Sequence, residues 1–368
     1  MSPGNKETPF NELPNLPPNV ELETKEVLKK CITARVALEG LRQAVSLIPN
    51  QELLLYTIPV LEAQASSAIE NIVTTADTLF RSLEAEDRVD PMTKEALRYR
   101  IAIFKGLDTL KKCPVSARTA LTVCSALRGT NVDFRSMPGT YIGNTTTQSI
   151  VYTPPEGKEV IAEKLRNWAE FLNTATELDP LIRLAVAHYQ FEAIHPFSDG
   201  NGRTGRILNI LYLVSAGLLD KPILYLSEYL IANKSEYYTR LLAVTECGDW
   251  SRWILFMLEA IESTANKTRE KVLAISKLQQ QVEEQIKGNP RLKKIYSAEL
   301  LDLIFTMPYV RIQNLVAKKI ASRQTAAKYF TELTACGILR EVAQPKTRLF
   351  VNENLLKVLG RKEPSKGA

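Results

Sequence analysis

Apolar residues recur at helical spacing along most of the chain, and short proline- or glycine-bearing breaks separate the runs. From Glu21 to about Glu84 the period is helical, with breaks expected near Pro49-Asn50 and at Pro59. Within it the stripe Ile69, Ile72, Val73, Ala76, Leu79 and Phe80 places Ser66 to Asn71 inside a helix. Residues 92 to 128 read as two more helices. The spacing Leu181, Leu184, Ala185, His188, Phe191, His195 predicts a helix that ends near His195, because Pro196 disfavours helical geometry in the residue before it. Ile207 to Leu219 suits a buried helix and falls short of the ~20 residues that span a bilayer, so no membrane contact is expected. Trp250, Trp253, Phe256 and Leu258 close a helical core. Asn266 to Ile286 then carries Val272, Ile275, Leu278, Val282 and Ile286 among charged residues and glutamines. That segment is read as a connecting rod or a subunit contact, and a homodimer is one assembly it allows.

Two stretches depart from the helical texture. Between Met137 and Pro155, β-formers flank Gly143-Asn144, which argues for a hairpin. After Gly288-Asn289-Pro290 come three short helical segments, Lys294 to Phe305, Arg311 to Ile320 and Ser322 to Thr334, then two β-like runs, Gly337 to Val342 and Arg348 to Asn352. That order resembles a winged helix, with Arg323, Gln324, Thr325 and Lys328 opening the recognition helix and Lys346 and Arg348 on the wing. The expected fold is mainly α: a helical core with a β-hairpin, plus a C-terminal winged-helix (α+β) domain. The expected divisions are residues 1–91, an N-terminal arm and helical segment; 92–265, the core; 266–290, a connecting helix; and 291–368, the winged helix.

Composition narrows the function classes. Hydrophobic content of 45% with 24% charged is ordinary for a soluble globular protein. The polar, proline-rich start lacks the apolar stretch of a secretory signal, and five scattered cysteines without a C-x-x-C suit reduced thiols, so a cytoplasmic protein is expected. Residues 291 to 368 hold 15 Lys and Arg against 6 Asp and Glu, a net +9, which leaves −3 on the first 290 residues. A basic end of that kind suits contact with DNA, and a solvated surface explains it too.

The densest chemistry lies in His195-Pro196-Phe197-Ser198-Asp199-Gly200-Asn201-Gly202-Arg203-Thr204-Gly205-Arg206. It reads as the end of one helix, a glycine-rich loop, and a second helix starting at Gly202 or Arg203. First-turn N–H groups and two arginines three residues apart suit a bound polyanion. Asp199 suits a hard cation such as Mg²⁺ held on phosphates, and His195 could take a proton from a hydroxyl. Competing readings are a dinucleotide fingerprint on Gly200, Gly202 and Gly205, which needs a preceding strand rather than a helix, and a plain glycine turn. His188 and His195 could form a metal pair, but no third ligand is spaced to join them, and His188 reads as packed or hydrogen-bonded.

The stretch resembles the signature of the Fic family, H-P-F-x-[DE]-G-N-G-R-x-x-R, at every fixed position. The resemblance implies a Fic-type helical core and transfer of AMP from ATP to a hydroxyl side chain (Ser, Thr or Tyr) of a target protein, self-modification included. By position, His195 would be the general base and Asp199 the Mg²⁺ ligand. Gly200, Asn201, Gly202, Arg203, Thr204, Gly205 and Arg206 would bind the phosphates. Ser66-x-x-x-Glu70-Asn71 is similar to the inhibitory motif of autoinhibited members, which implies a salt bridge from Glu70 to Arg206. The hairpin at Ile142, Gly143 and Asn144 resembles the flap that clamps a target segment as an added strand. Tyr237, and with it Asn233, would border the adenine, whereas Thr245 to Trp250 departs from the family pattern. The whole looks like the bacterial SoFic type. Removal of AMP at the same site, with Glu70 positioning water, and a DNA-binding regulator that only senses nucleotide stay open as alternatives.

Overall fold

The computed structural model describes residues 6–84, 89–144, 149–174, 177–342 and 348–360. An irregular arm precedes α1 (Lys25–Ser46), α2 (Glu52–Ile69), α3 (Ala76–Glu84), α4 (Pro91–Leu110) and α5 (Ala117–Arg128). A hairpin of β1 (Ile142–Asn144) and β2 (Ser149–Tyr152) follows, then α6 (Lys158–Asn173), α7 (Pro180–Ile194), α8 (Asn201–Ser215), α9 (Ser227–Ala232), α10 (Lys234–Cys247) and α11 (Trp250–Gly288). The C-terminal part holds α12 (Ala298–Thr306), β3 (Tyr309–Arg311), α13 (Ile312–Ala317), α14 (Arg323–Ala335), β4 (Arg340–Val342), β5 (Leu349–Val351) and α15 (Glu353–Leu359).

Local chemistry sets the helix starts. Thr24 and Asp90 accept from the N–H groups of Val27 and Thr93, and Asp179 accepts from that of Leu181. Pro91 and Pro180 occupy the first turns of their helices, where no N–H is needed. α7 is buried on almost every side, from Leu181 to Ile194, and is the axle of the core. The Trp168 and Trp253 indoles donate to the carbonyls of Ala187 and Ala185, pinning α6 and α11 to it. α8 packs against α7, α4, α5 and α2.

Three expectations are corrected. α2 runs straight through Pro59 because Ile58, Pro59, Val60 and Leu61 are all buried, and that packing outweighs one lost backbone hydrogen bond. The helix expected to carry Glu70 ends before it. Asn71 takes the left-handed conformation (φ 60), and the N–H groups of Asn71 and Ile72 bond back to Ala68 O and Ser67 O at 3.1 and 3.0 Å, a Schellman stop. The β-branched run Ile72 to Thr75 stays non-helical until α3 begins. Finally, the core-closing tryptophans and the charged rod form one 39-residue helix, α11. Four residues of its apolar stripe (Val272 0%, Ile275 0%, Val282 6% and Ile286 1% exposed) are covered within the chain.

In the C-terminal part, β5 pairs antiparallel with both β3 and β4, giving the sheet order β3-β5-β4. β3 and α15 were not anticipated; the expected wing turn with Lys346 lies outside the described residues. This unit docks on the N-terminal helices. α12 packs on α2, the Tyr309 hydroxyl donates to Asp77 of α3 at 2.6 Å, and Asn314 Nδ2 donates to Glu84 at 3.0 Å. The Tyr56 hydroxyl of α2 donates to the same Glu84 at 3.0 Å, so one buried carboxylate joins α2, α3 and the C-terminal unit.

Replacing Glu84 by Ala strands the Tyr56 hydroxyl and the Asn314 amide. Both residues are half-buried, so each loss falls toward the low end of the about 1–3 kcal/mol that a buried group left short of a partner costs. A lower urea midpoint for Glu84→Ala is expected; an unchanged midpoint would contradict the bridge.

Candidate active site

α7 stops at His195, which adopts a left-handed conformation (φ 49), unusual for a residue with a Cβ. Phe197 then buries its ring against Phe134 and Phe191. Asn201 closes the loop on itself: its Oδ1 accepts from the Phe197 N–H at 2.8 Å and its Nδ2 donates to Phe197 O at 2.7 Å. Gly200 sits at φ 84, where glycine is at ease, and caps α8 without any side-chain acceptor. The first N–H groups of α8 therefore have no side chain of their own to bond and face the loop.

Both arginines are buried and already paired. Arg203 is 2% exposed, and its Nη1 donates to Glu95 on α4 at 2.7 Å. Arg206 is 1% exposed; its Nε donates to Ser66 Oγ at 2.8 Å, and its Nη2 to Ser66 O at 3.0 Å and Glu70 Oε1 at 2.8 Å. Glu70 keeps 36% of its side chain open to solvent. Burial alone would raise its pKa, but the Arg206 guanidinium, helped by Arg203 and Lys234, outweighs that and holds the carboxyl below its ordinary value. Lys234 also caps the end of α2, donating to Ile69 O at 2.6 Å and Asn71 Oδ1 at 3.4 Å. A Cβ on Gly202 would lie 2.5 Å from Glu70 Oε1, so that glycine makes room for the carboxylate.

One turn above Ser66, the fully buried Glu62 accepts from the Ser227 N–H at 2.8 Å, the Tyr99 hydroxyl at 3.0 Å, and the Ser227 hydroxyl. Glu62 and Ser66 lie four residues apart on the inward face of α2, and Glu70, four further on, caps its end. Glu192 lies behind Arg206. Burial, with Glu70 adding to it, raises its pKa to about 7 against the pull of Arg206.

His195 is half-buried, and its pKa is pushed down to about 4 by burial and by the nearby Arg135 guanidinium. It is neutral at pH 7 and can accept a proton. Asp199 is exposed and pairs with Arg128 at the end of α5. The hairpin register is Ile142↔Tyr152, Gly143↔Ile150 and Asn144↔Ser149, with a shift after Ile142. Its tip, residues 145–148, lies outside the described residues. Among the described residues β1 pairs with β2 alone.

Several predicted contacts are corrected. Tyr237 is 1% exposed, and its hydroxyl bonds His188 Nε2 at 2.9 Å inside an aromatic cluster with Trp253 and Phe256. It sits in the core here, and its neighbour Tyr238 is 44% exposed. Asn233 turns its amide onto Tyr229 O at 2.9 Å. Thr204 is fully buried, and a Cβ on Gly205 would strike Glu192, so both face the core rather than a phosphate. Sequence reasoning missed Glu95, Arg128, Arg135 and Lys234, whose partners lie far along the chain.

Three family models match: Fic/DOC family N-terminal at residues 28–108, Fic/DOC family at residues 125–213, and protein adenylyltransferase SoFic-like, C-terminal domain, at residues 278–355. Over 115 residues the chain is 32% identical to protein adenylyltransferase fic-1 of Caenorhabditis elegans, covering 31% of this chain and 21% of that protein. Over 112 residues it is 33% identical to protein adenylyltransferase Fic of Drosophila willistoni, covering 30% and 21%. The chain thus spans about a fifth of the length of the curated relatives it matches (21%). A crystal structure of a Fic family protein from Desulfovibrio desulfuricans G20 shares the fold, with a TM-score of 0.56 at 19% identity over 91% of this chain and 98% of that one.

His188 supplies a test of the site's supporting wall. Burial and the Arg206 charge lower its pKa to about 3. Below pH 6.5 the unfolded chain binds a proton that the folded chain refuses, so this group drains stability as pH falls, by about 1.4 kcal/mol per unit. Relative to His188→Gln, the unsubstituted protein should lose stability at that slope between pH 6 and 4. A pH-independent difference between the two would contradict the buried neutral ring.

Proposed function

The chain belongs to the Fic/DOC family, and on that footing we propose that it is a protein adenylyltransferase, moving AMP from ATP to a hydroxyl side chain of a target protein. The observation that carries the reading is a desolvated guanidinium, Arg206, one helical turn into a helix that has no side-chain cap, on a loop that opens with a neutral imidazole, His195. His195 accepts the proton of the target hydroxyl. The oxygen bonds to the α-phosphorus, the bond from that phosphorus to the bridging oxygen breaks, and pyrophosphate leaves. Gly200, Asn201 and Gly202 offer backbone N–H groups to the phosphates, and Arg203 and Arg206 take the β- and γ-groups. The rate comes mostly from positioning and preorganised charge.

The donor set suits Mg²⁺. Among the described residues no group of three or more His, Cys, Asp or Glu could hold a metal alone. One carboxylate, Asp199, plus phosphate oxygens is a set that Mg²⁺ accepts. When bound it would neutralise charge on the leaving pyrophosphate, with Asp199 giving up Arg128 to hold it. The target would add as a strand to the flap at Ile142, Gly143 and Asn144, since among the described residues β1 has a free edge; a segment of the same chain serves equally, hence self-modification.

Glu70 is the proposed inhibitor. It occupies the guanidinium face that a γ-phosphate needs. A charge pair at ~4 Å with an effective dielectric of about 20 is worth ~4 kcal/mol before desolvation. After desolvation and solvent screening, about 1–3 kcal/mol remains. A DNA-binding role for the C-terminal unit has one observation in its favour: Arg323, Gln324 and Lys328 are exposed at the start of α14. Among the described residues no helix is long and apolar enough to cross a membrane. Five free cysteines suit the reducing cytoplasm proposed as its compartment. A homodimer would need a surface other than the covered stripe of α11, such as the exposed Ile32 and Val36 of α1.

Incubation with α-labelled ATP, Mg²⁺ and a cell extract tests the reading. Glu70→Gly should label protein about 10–100 times faster than the parent, and His195→Ala should abolish the label. Equal rates for parent and Glu70→Gly would count against inhibition. Label lost from pre-modified protein would indicate removal of AMP instead.

A further inference from the structure

We propose that Arg135 is the positioning residue of the His195 turn, tying the backbone that carries the imidazole to both ends of the flap. The inference gives Arg135 a role in catalysis only if the adenylyltransferase reading holds; the bracing itself stands on geometry.

α7 ends abruptly, so its last carbonyls lose their helical partners, and Pro196 brings no N–H to replace them. In this chain they are claimed from the flap side. The Tyr152 hydroxyl donates to Ala193 O at 3.0 Å. Arg135 takes the next three: Nη2 to Ile194 O at 3.1 Å, Nε to His195 O at 2.7 Å, and its backbone N–H to Pro196 O at 2.9 Å. Its Nη2 also donates to Pro155 O. Arg135 is 7% exposed, and a planar fork of five donors suits several carbonyls at once, which an ammonium cannot match. Its charge also sits where the negative end of α7 favours a cation.

The connections reach both sides of the hairpin. Arg135 precedes β1, Tyr152 ends β2, and Pro155 follows it. Phe134 adds a stacked contact on Phe197, with centroids 5.5 Å apart. A target strand laid on β1 and the imidazole of His195 therefore belong to one braced body. The brace also has a strain to hold. Left-handed backbone is strained for a residue with a Cβ, and His195 is one. Without the fork, the turn can relax and the ring moves with it. The charged groups that act on that ring are Arg135, Glu70 and Asp199.

The chain holds only two histidines, His188 and His195, so the ring can be watched directly. Full-length protein with isotope-labelled histidine is titrated by NMR, with His188→Gln assigning the signals. In Arg135→Gln, His195 should change chemical shift and titrate closer to the ordinary histidine value, while the His188 signal stays native and reports an intact core. In the Glu70→Gly background, Arg135→Gln should lower kcat about a hundredfold with KM for ATP unchanged, and Arg135→Lys should restore part of it. Should Arg135→Gln misfold, the folded Arg135→Lys carries the same test, since it keeps the charge and loses the fork. A native His188 signal with an unaltered His195 titration and kcat would overturn the proposal. An altered His195 in a protein that never transfers AMP would instead refute the adenylyltransferase reading and leave the brace standing.

Discussion

A guanidinium that is 1% exposed needs an anion at its side. Removing water from an arginine costs several kcal/mol, and leaving it buried without a counter-charge is the expensive outcome. Arg206 meets that demand with Ser66 of α2 and with Glu70, the residue that caps the end of that helix. The same demand makes it a receptor for phosphate. On the proposed reading, inhibition and substrate binding would be two answers to one electrostatic requirement, with either anion excluding the other.

What delivers Glu70 is the packing of α2 rather than the strength of one ion pair. Glu62 locks the helix to α4 and α9 through Tyr99 and Ser227, and Lys234 closes its C-terminal carbonyl. The C-terminal unit presses on α2 and α3, on either side of the inhibitory turn. A carboxylate at the end of such a fixed ladder has little freedom to search for Arg206; it is already there. Opposite it, the flap-side residues Tyr152 and Arg135 fix His195 through successive carbonyls. The base and the phosphate receptor are therefore held from two different directions.

The helical core, the hairpin and the loop from His195 to Arg206 were legible in the sequence because their signals are local. Period, proline and glycine positions, and twelve adjacent residues carry them. The Glu70 site was legible through family resemblance, yet its helix was drawn too long, because an asparagine in the left-handed region leaves no mark on the apolar stripe. Pro59 misled in the opposite sense: burial on all sides overrode a local helix breaker. Tyr237 failed because an aromatic at helical spacing looks the same whether it meets a ligand or His188. Glu95, Arg128 and Arg135 were out of reach, since their partners are 60 to 108 residues away in sequence and only the fold brings them together.

The central claim is that Glu70 and a γ-phosphate compete for Arg206. Calorimetric titration of ATP and of AMP into the parent protein and into Glu70→Gly tests it without any need for turnover. ATP should bind the variant at least about tenfold more tightly than the parent, while AMP, which has no γ-phosphate, should bind both alike. Equal ATP affinity for the two proteins, or an equal gain for AMP, would contradict the account.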